Sequence, residues 1–150
     1  MPVADLSALY ALRKGDCCSS KQVLITGSTG GVESFANQLA ALSRAYSIEV
    51  ARSESKTEQV RTFGANEILV EDDITKAISA NGPYDFIIDS VGGDTLAALF
   101  PQLIPQGICV PLGHFSSETT TLNILGLGEI DAVAHQLIER QFTGKAVLTI

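Results

Sequence analysis

Basic residues are scarce in this sequence of 150 residues: ten lysines and arginines stand against seventeen aspartates and glutamates, for a formal net charge of −7. That balance repels polyanions, which excludes nucleic acid and anionic membrane as main partners unless cations cluster locally. Cysteine and histidine are scarce too. Of the three cysteines, Cys17 and Cys18 are adjacent and Cys109 lies far away, so there is neither a disulfide framework nor a CxxC pair. The two histidines, His114 and His135, cannot complete a tetrahedral metal site without carboxylates. No run reaches the ~18 apolar residues of a membrane span. The opening "MPVADLSALYALRKGD" has no basic segment leading into an apolar one, as a secretory signal requires. A P-loop lysine and a Ser/His/Asp arrangement are also missing. The expectation these absences leave is a soluble, cytoplasmic, globular protein.

What is present is an apolar content of 45% in a chain the length of one domain, enough to bury a core without staples. Residues 1–150 are therefore read as a single domain, without internal repeat, linker or low-complexity segment. Short apolar runs alternate with helical patterns along the chain. "QVLITG" (22–27) predicts a first strand. In "VESFANQLAALSRAY" that follows, Phe35, Leu39 and Leu42 fall at helical spacing with Ala36 and Ala40 beside them. "SIEVAR" (47–52) predicts a second strand, and "SKTEQVRTFGA" a helix ended by Gly64. "NEILVE" (66–71), "YDFIIDSVGG" (84–93) and "GICVPLG" (107–113) predict three more strands, with helices around 73–80 and 94–103 between them. Pro111 marks a strand end or an irregularity. "TTLNIL" suggests a further short strand, "EIDAVAHQLIERQF" a helix and "KAVLTI" a terminal strand. Such alternation implies right-handed βαβ units and a doubly wound α/β fold of Rossmann type, a parallel sheet between two helical layers. Ligands of such sheets bind outside the carboxyl ends of the strands, where strand order reverses.

One of those ends carries the turn Gly27-Ser28-Thr29-Gly30-Gly31-Val32, which joins a strand directly to a helix. Without Cβ atoms, backbone amides can approach a phosphate, and the helix start adds unpaired N–H groups and a positive dipole end. "VLITGSTGGV…FANQLA", "FGANEILVED", "PYDFIIDSVGG", "L…LIPQGICVPLG" and "L…FTGKAVLTI", in that order, closely resemble the cofactor domain of the medium-chain dehydrogenase/reductase superfamily. The branch they most resemble is the zinc-independent quinone oxidoreductases, related to zeta-crystallin. The resemblance covers nearly the whole chain. It implies reduction of a quinone or enone with NADPH, performed between this domain and a GroES-like substrate domain. Measured against that family, the substrate domain is absent, and the segment near Gly128 is shortened by a few tens of residues. In the family the segment like "GKAVLTI" pairs within the missing domain, so here it needs another partner, such as a second copy of the chain joined through an unpaired edge.

Dinucleotide sites selective for NAD place an acid at the end of the second strand. The matching position here is Ala51, followed by Arg52, Ser53 and Lys56, a set suited to the 2′-phosphate of NADPH. Glu71 stands where family members often carry a tyrosine near the adenine, and its charge opposes a phosphate. By resemblance Ser28 through Val32 hold the pyrophosphate, and Ser90 and Val91 lie near the ribose, with Asp89 hydrogen-bonded within its turn as the plain alternative. Gly113 then lies near the nicotinamide. His114 stands beside it as a conceivable proton donor, but the domain that would position a substrate is absent, and no residue is assigned as catalytic. Tyr10 and Lys14 match the Tyr-x-x-x-Lys spacing of short-chain dehydrogenases but precede the first strand, so the spacing is read as chance.

Glu33 breaks the glycine pattern. A third glycine normally allows close packing of helix on strand. A glutamate there is expected either to swing into solvent or to crowd the first strand, and its charge competes with the pyrophosphate. The reading is thus an NADPH-binding domain with weakened affinity. The alternative is a non-catalytic nucleotide-sensing or assembly module whose cofactor site has degenerated.

Overall fold

The computed structural model describes residues 3–15, 18–27, 30–51, 53–70, 74–112 and 148–149. Its elements run α1 (Val3–Lys14), β1 (Gln22–Thr26), α2 (Gly31–Leu42), β2 (Tyr46–Ala51), α3 (Thr57–Thr62), β3 (Glu67–Val70), α4 (Ile74–Asn81), β4 (Tyr84–Asp89), α5 (Gly93–Leu99), β5 (Leu103–Pro111) and β6 (Leu148–Thr149). The strands form one sheet in the order β3-β2-β1-β4-β5-β6. The first five are parallel and β6 runs antiparallel to β5. This is the expected doubly wound α/β fold of Rossmann type.

The apolar run of β1 is buried on both faces, as a central parallel strand requires. Val23 and Ile25 pack with Ala8, Ala11 and Leu12 of α1 and with Ala36 and Ala40 of α2. Leu24 points the other way, into a second core with Ile48, Ile78 of α4, Ile87 and Leu99 of α5. The two clusters lie on opposite faces of the sheet because successive strand residues alternate sides.

Two local features differ from the sequence reading, the start of the fifth strand and the partner of the last. The buried stripe of the expected helix α2 is Glu33, Ala36, Asn37 and Ala40. Phe35 and Leu39 are half-buried and Leu42 is 81% exposed. The small alanines let the helix sit close to the sheet, so the large residues fall to its flanks. The fifth strand starts at Leu103 rather than 107, because Tyr84 already pairs with Leu103 before a register shift that brings Phe86 to Ile108. Gln106, at φ 67°, lies within that irregularity. The final strand also finds its partner inside its own chain: Leu148 pairs with Cys109 and Thr149 with Ile108. Its pairing therefore needs no second copy, and β6 itself ends the described sheet. The shorter strand around 120–125 and the helix over 129–142 lie outside the described residues.

Gly64 ends the third helix as expected. It sits at φ +98°, and a Cβ there would lie 2.8 Å from the Ala41 Cβ on α2. Gly64→Ala thus meets both a left-handed backbone and a clash between two helices, and a loss of about 2 kcal/mol is expected in urea denaturation.

Candidate functional site

Strand order reverses between β1 and β4, which opens the crevice of a doubly wound sheet at their carboxyl ends. Here that crevice is laced by hydrogen bonds. The Thr26 hydroxyl donates to Asp89 Oδ1 at 2.5 Å, and Asp89 also accepts the backbone amides of Gly92 at 2.9 Å and Val91 at 3.3 Å. The Ser90 hydroxyl lies 3.0 Å from the Thr26 carbonyl and also bonds Glu33 Oε1. Thr26, Asp89, Ser90 and Glu33 are all buried.

Glu33 takes neither course expected of it. Its carboxyl curls back from the first turn of α2 into the glycine turn, where its Oε2 lies against the bare face of Gly30. On its other side it meets Ser90 at the end of β4. A Cβ on Gly27 would lie 3.0 Å from Ser90 Oγ and 3.5 Å from Glu33 Oε1, and Gly27 itself has φ +93°. Both glycines therefore make room for this carboxyl. Gly30 is the N-cap of α2 and supplies no side-chain hydrogen bond. A 12-residue helix with a bare amino end is where an anion is stabilised, and here the protein's own carboxyl stands beside it.

A second buried polar contact lies one turn further along α2. Asn37 donates to Glu49 Oε1 in the middle of β2, and both residues are fully buried. Burial, with the Glu33 charge adding to it and Asn37 opposing it, pushes the Glu49 carboxyl up to about 8.

No protein-family profile matches the chain. The mitochondrial NAD(P)H oxidoreductase RTN4IP1 of Bos taurus is 36% identical over 102 residues, covering 63% of this chain and 26% of that protein. Its Homo sapiens counterpart is 33% identical over the same shares. The chain thus spans about a quarter of the length of the curated relatives it matches. Among solved structures, a 2-haloacrylate reductase superposes with TM-score 0.73 at 24% identity, over 82% of this chain and 40% of that one. The quinone oxidoreductase of Coxiella burnetii gives 0.68 at 24%, over 94% and 48%. Mycobacterial Rv1454c, solved with NADPH, gives 0.70 at 19%, over 88% and 42%. In sequence the chain resembles part of an NAD(P)H oxidoreductase, and in fold it matches the Rossmann-type domain of these reductases.

Within this fold the structure brings some of the sequence-predicted residues together and leaves others apart. Gly30, Ser90 and the intruding Glu33 meet in one cluster. Gly31 faces Ala4 of α1, and Val32 packs into the core, so each has only its backbone amide to offer a ligand. The Val91 amide is already held by Asp89, the turn-bound arrangement named as the plain alternative for that aspartate. Ser53 and Lys56 are exposed just past the end of β2, on the same rim of the sheet as the glycine turn, with Ala51 fully buried before them. Ser28, Thr29, Arg52 and Gly113, together with Glu71 and His114, lie outside the described residues. Tyr10 and Lys14 sit on α1, which packs on α2 and β5. Sequence reasoning missed Thr26 as a tie between β1 and β4, and it missed the Asn37–Glu49 pair. The signal for the latter was available, since a glutamate inside "SIEVAR" interrupts a strand that should be apolar throughout.

No helix among the described residues is long and apolar enough to cross a membrane. The curated relatives are named as mitochondrial, and so lend no support to the cytoplasmic expectation.

Proposed function

We propose that this chain is the NADP(H)-binding domain of a zinc-independent quinone or enone oxidoreductase, with its affinity tempered by Glu33. The observation that carries the reading is the glycine turn at the strand-order reversal, opening directly into a helix with no side-chain cap. The relatives' names support it: two are NAD(P)H oxidoreductases, and one structural neighbour was solved with NADPH. When bound, the nicotinamide supplies the hydride, and this chain's residues bind and orient it. Backbone amides from Gly30 to Val32 would meet the pyrophosphate, with Ser28 and Thr29 completing the turn. Arg52, Ser53 and Lys56 would meet the 2′-phosphate, because Ala51 leaves no acid there to repel it. Ser90, Val91 and Gly113 would border the ribose and nicotinamide.

One observation favours a second reading. The Glu33 carboxyl already lies against Gly30 and holds Ser90, two of the groups a dinucleotide would use. A non-catalytic sensing or assembly module with a self-filled site follows if that contact is permanent. Calorimetric titration with NADPH and NADH separates the two. The cofactor reading expects measurable NADPH binding, at least about tenfold tighter than NADH. Heat from neither nucleotide selects the second reading, and equal affinities would remove the role given to Arg52, Ser53 and Lys56.

A further inference from the structure

The Asn37–Glu49 contact is half of a complete pair. Asn37 Nδ2 donates to Glu49 Oε1, and the other two polar atoms of the pair, Asn37 Oδ1 and Glu49 Oε2, are buried without any partner. Both orphans are oxygens, and what they lack is a single donor between them. An amide facing a carboxylate can make only the one bond, whereas an amide facing a carboxylic acid can make two, because the acid's O–H donates to the amide oxygen. Buried polar atoms are nearly always paired, so one proton accounts for both orphans together.

We propose that Asn37 and Glu49 meet as a neutral acid–amide pair, with a proton on Glu49 Oε2 donated to Asn37 Oδ1, and that this pair latches α2 onto the sheet. The surroundings favour it. Within the sheet, Glu49 is flanked in register by Ile25 of β1 and Ile68 of β3, neither of which carries charge. From α2 the charged group acting on it is the Glu33 carboxyl, one helical turn from Asn37, and it disfavours a second negative charge. Glu67 of β3 pairs in register with Ile48 and so points to the opposite face. Because burial lifts the Glu49 carboxyl from 4.5 to about 8, the folded chain holds this proton through neutral pH while the unfolded chain releases it. The stability it contributes is therefore fully present below about pH 4.5 and is lost progressively as pH rises to about 8. The helix so held is the one whose amino end frames the glycine turn, and its seat loosens in mildly alkaline solution whether or not a nucleotide binds.

The test compares the whole chain with Glu49→Gln. Glutamine supplies the missing N–H donor without titrating, so the variant should keep its fold. Its thermal midpoint should fall less than the wild type's between pH 5 and pH 8, and should exceed the wild type's above pH 8. Infrared spectroscopy gives a readout that needs no variant: at neutral pH the wild type should show the carbonyl stretch of a buried protonated carboxylic acid, shifting in heavy water and disappearing as pH passes 8. Absence of that band, or a Glu49→Gln profile parallel to the wild type's, overturns the proposal. A charged Glu49 bridged to Asn37 by water gives that negative result.

Discussion

Replacing Glu33 with glycine tightens NADPH binding by about a hundredfold. Two unit charges ~5 Å apart at an effective dielectric near 20 repel by roughly 3 kcal/mol, and each 1.4 kcal/mol is a factor of ten. Glu33 adds an obstruction to that repulsion, since its carboxyl lies on Gly30 and engages the Ser90 hydroxyl. Glycine removes the charge and the obstruction together but weakens the helix by about 1 kcal/mol, so Glu33→Ala serves as a companion with better helix propensity. Glu33→Gln keeps the shape and removes the charge. Its gain should fall between those of the wild type and the alanine variant, and the difference measures the obstruction alone. The wild type's deficit should shrink at high ionic strength, where exposed phosphate charge is screened. Dissociation constants unchanged in both the glycine and alanine variants, with the fold intact by circular dichroism, would show that the carboxyl does not compete with the nucleotide.

Much of this was legible in the sequence because the information was local. Apolar runs of five or six residues with glycine turns placed β1, β2, β3 and β4 within a residue or two of their observed positions, except where turn residues were counted into the end of β4. Gly64 marked the end of α3 because only a left-handed residue suits that position. What stayed hidden depended on partners distant in the chain. The start of β5 is set by Tyr84 pairing with Leu103 across an irregularity, which periodicity within one strand does not reveal. The buried face of α2 is chosen by how closely the helix approaches the sheet, and alanine wins over leucine there. Glu33 was recognised as the break in the fingerprint, but its direction was not, because Ser90 is 57 residues away in sequence. Glu49 is the clearest case of a signal left unread: a carboxyl inside a parallel strand has to find a partner, and Asn37, twelve residues earlier, is that partner.

The largest loss of stability at the site is expected from Asp89→Ala. Asp89 is fully buried and accepts three hydrogen bonds: the Thr26 hydroxyl from β1 and the amides of Val91 and Gly92 from its own turn. Removing the carboxylate strands a hydroxyl and two backbone amides, each worth about 1–3 kcal/mol when buried and unpaired, so a loss of about 4 kcal/mol is expected in urea denaturation. That is a large share of the roughly 5–15 kcal/mol that holds a domain folded. Thr26→Val leaves the Val91 and Gly92 amides on Asp89 but removes one donor to it and the acceptor of the Ser90 amide, a longer bond of 3.4 Å, so it should cost about 2 kcal/mol. Asp89→Asn should fall between them, since its amide group sets a donor against one of the existing donors. An Asp89→Ala variant within about 1 kcal/mol of the wild type would mean that the tie between β1 and β4 rests on the sheet alone. The ranking also bears on binding. Asp89 fixes the turn that holds Ser90 beside Glu33, so Asp89→Asn, measured where it is still folded, should weaken NADPH binding even though the altered group need not touch the nucleotide. Thr26→Val should do so less, because the Asp89 bonds that shape the turn survive it.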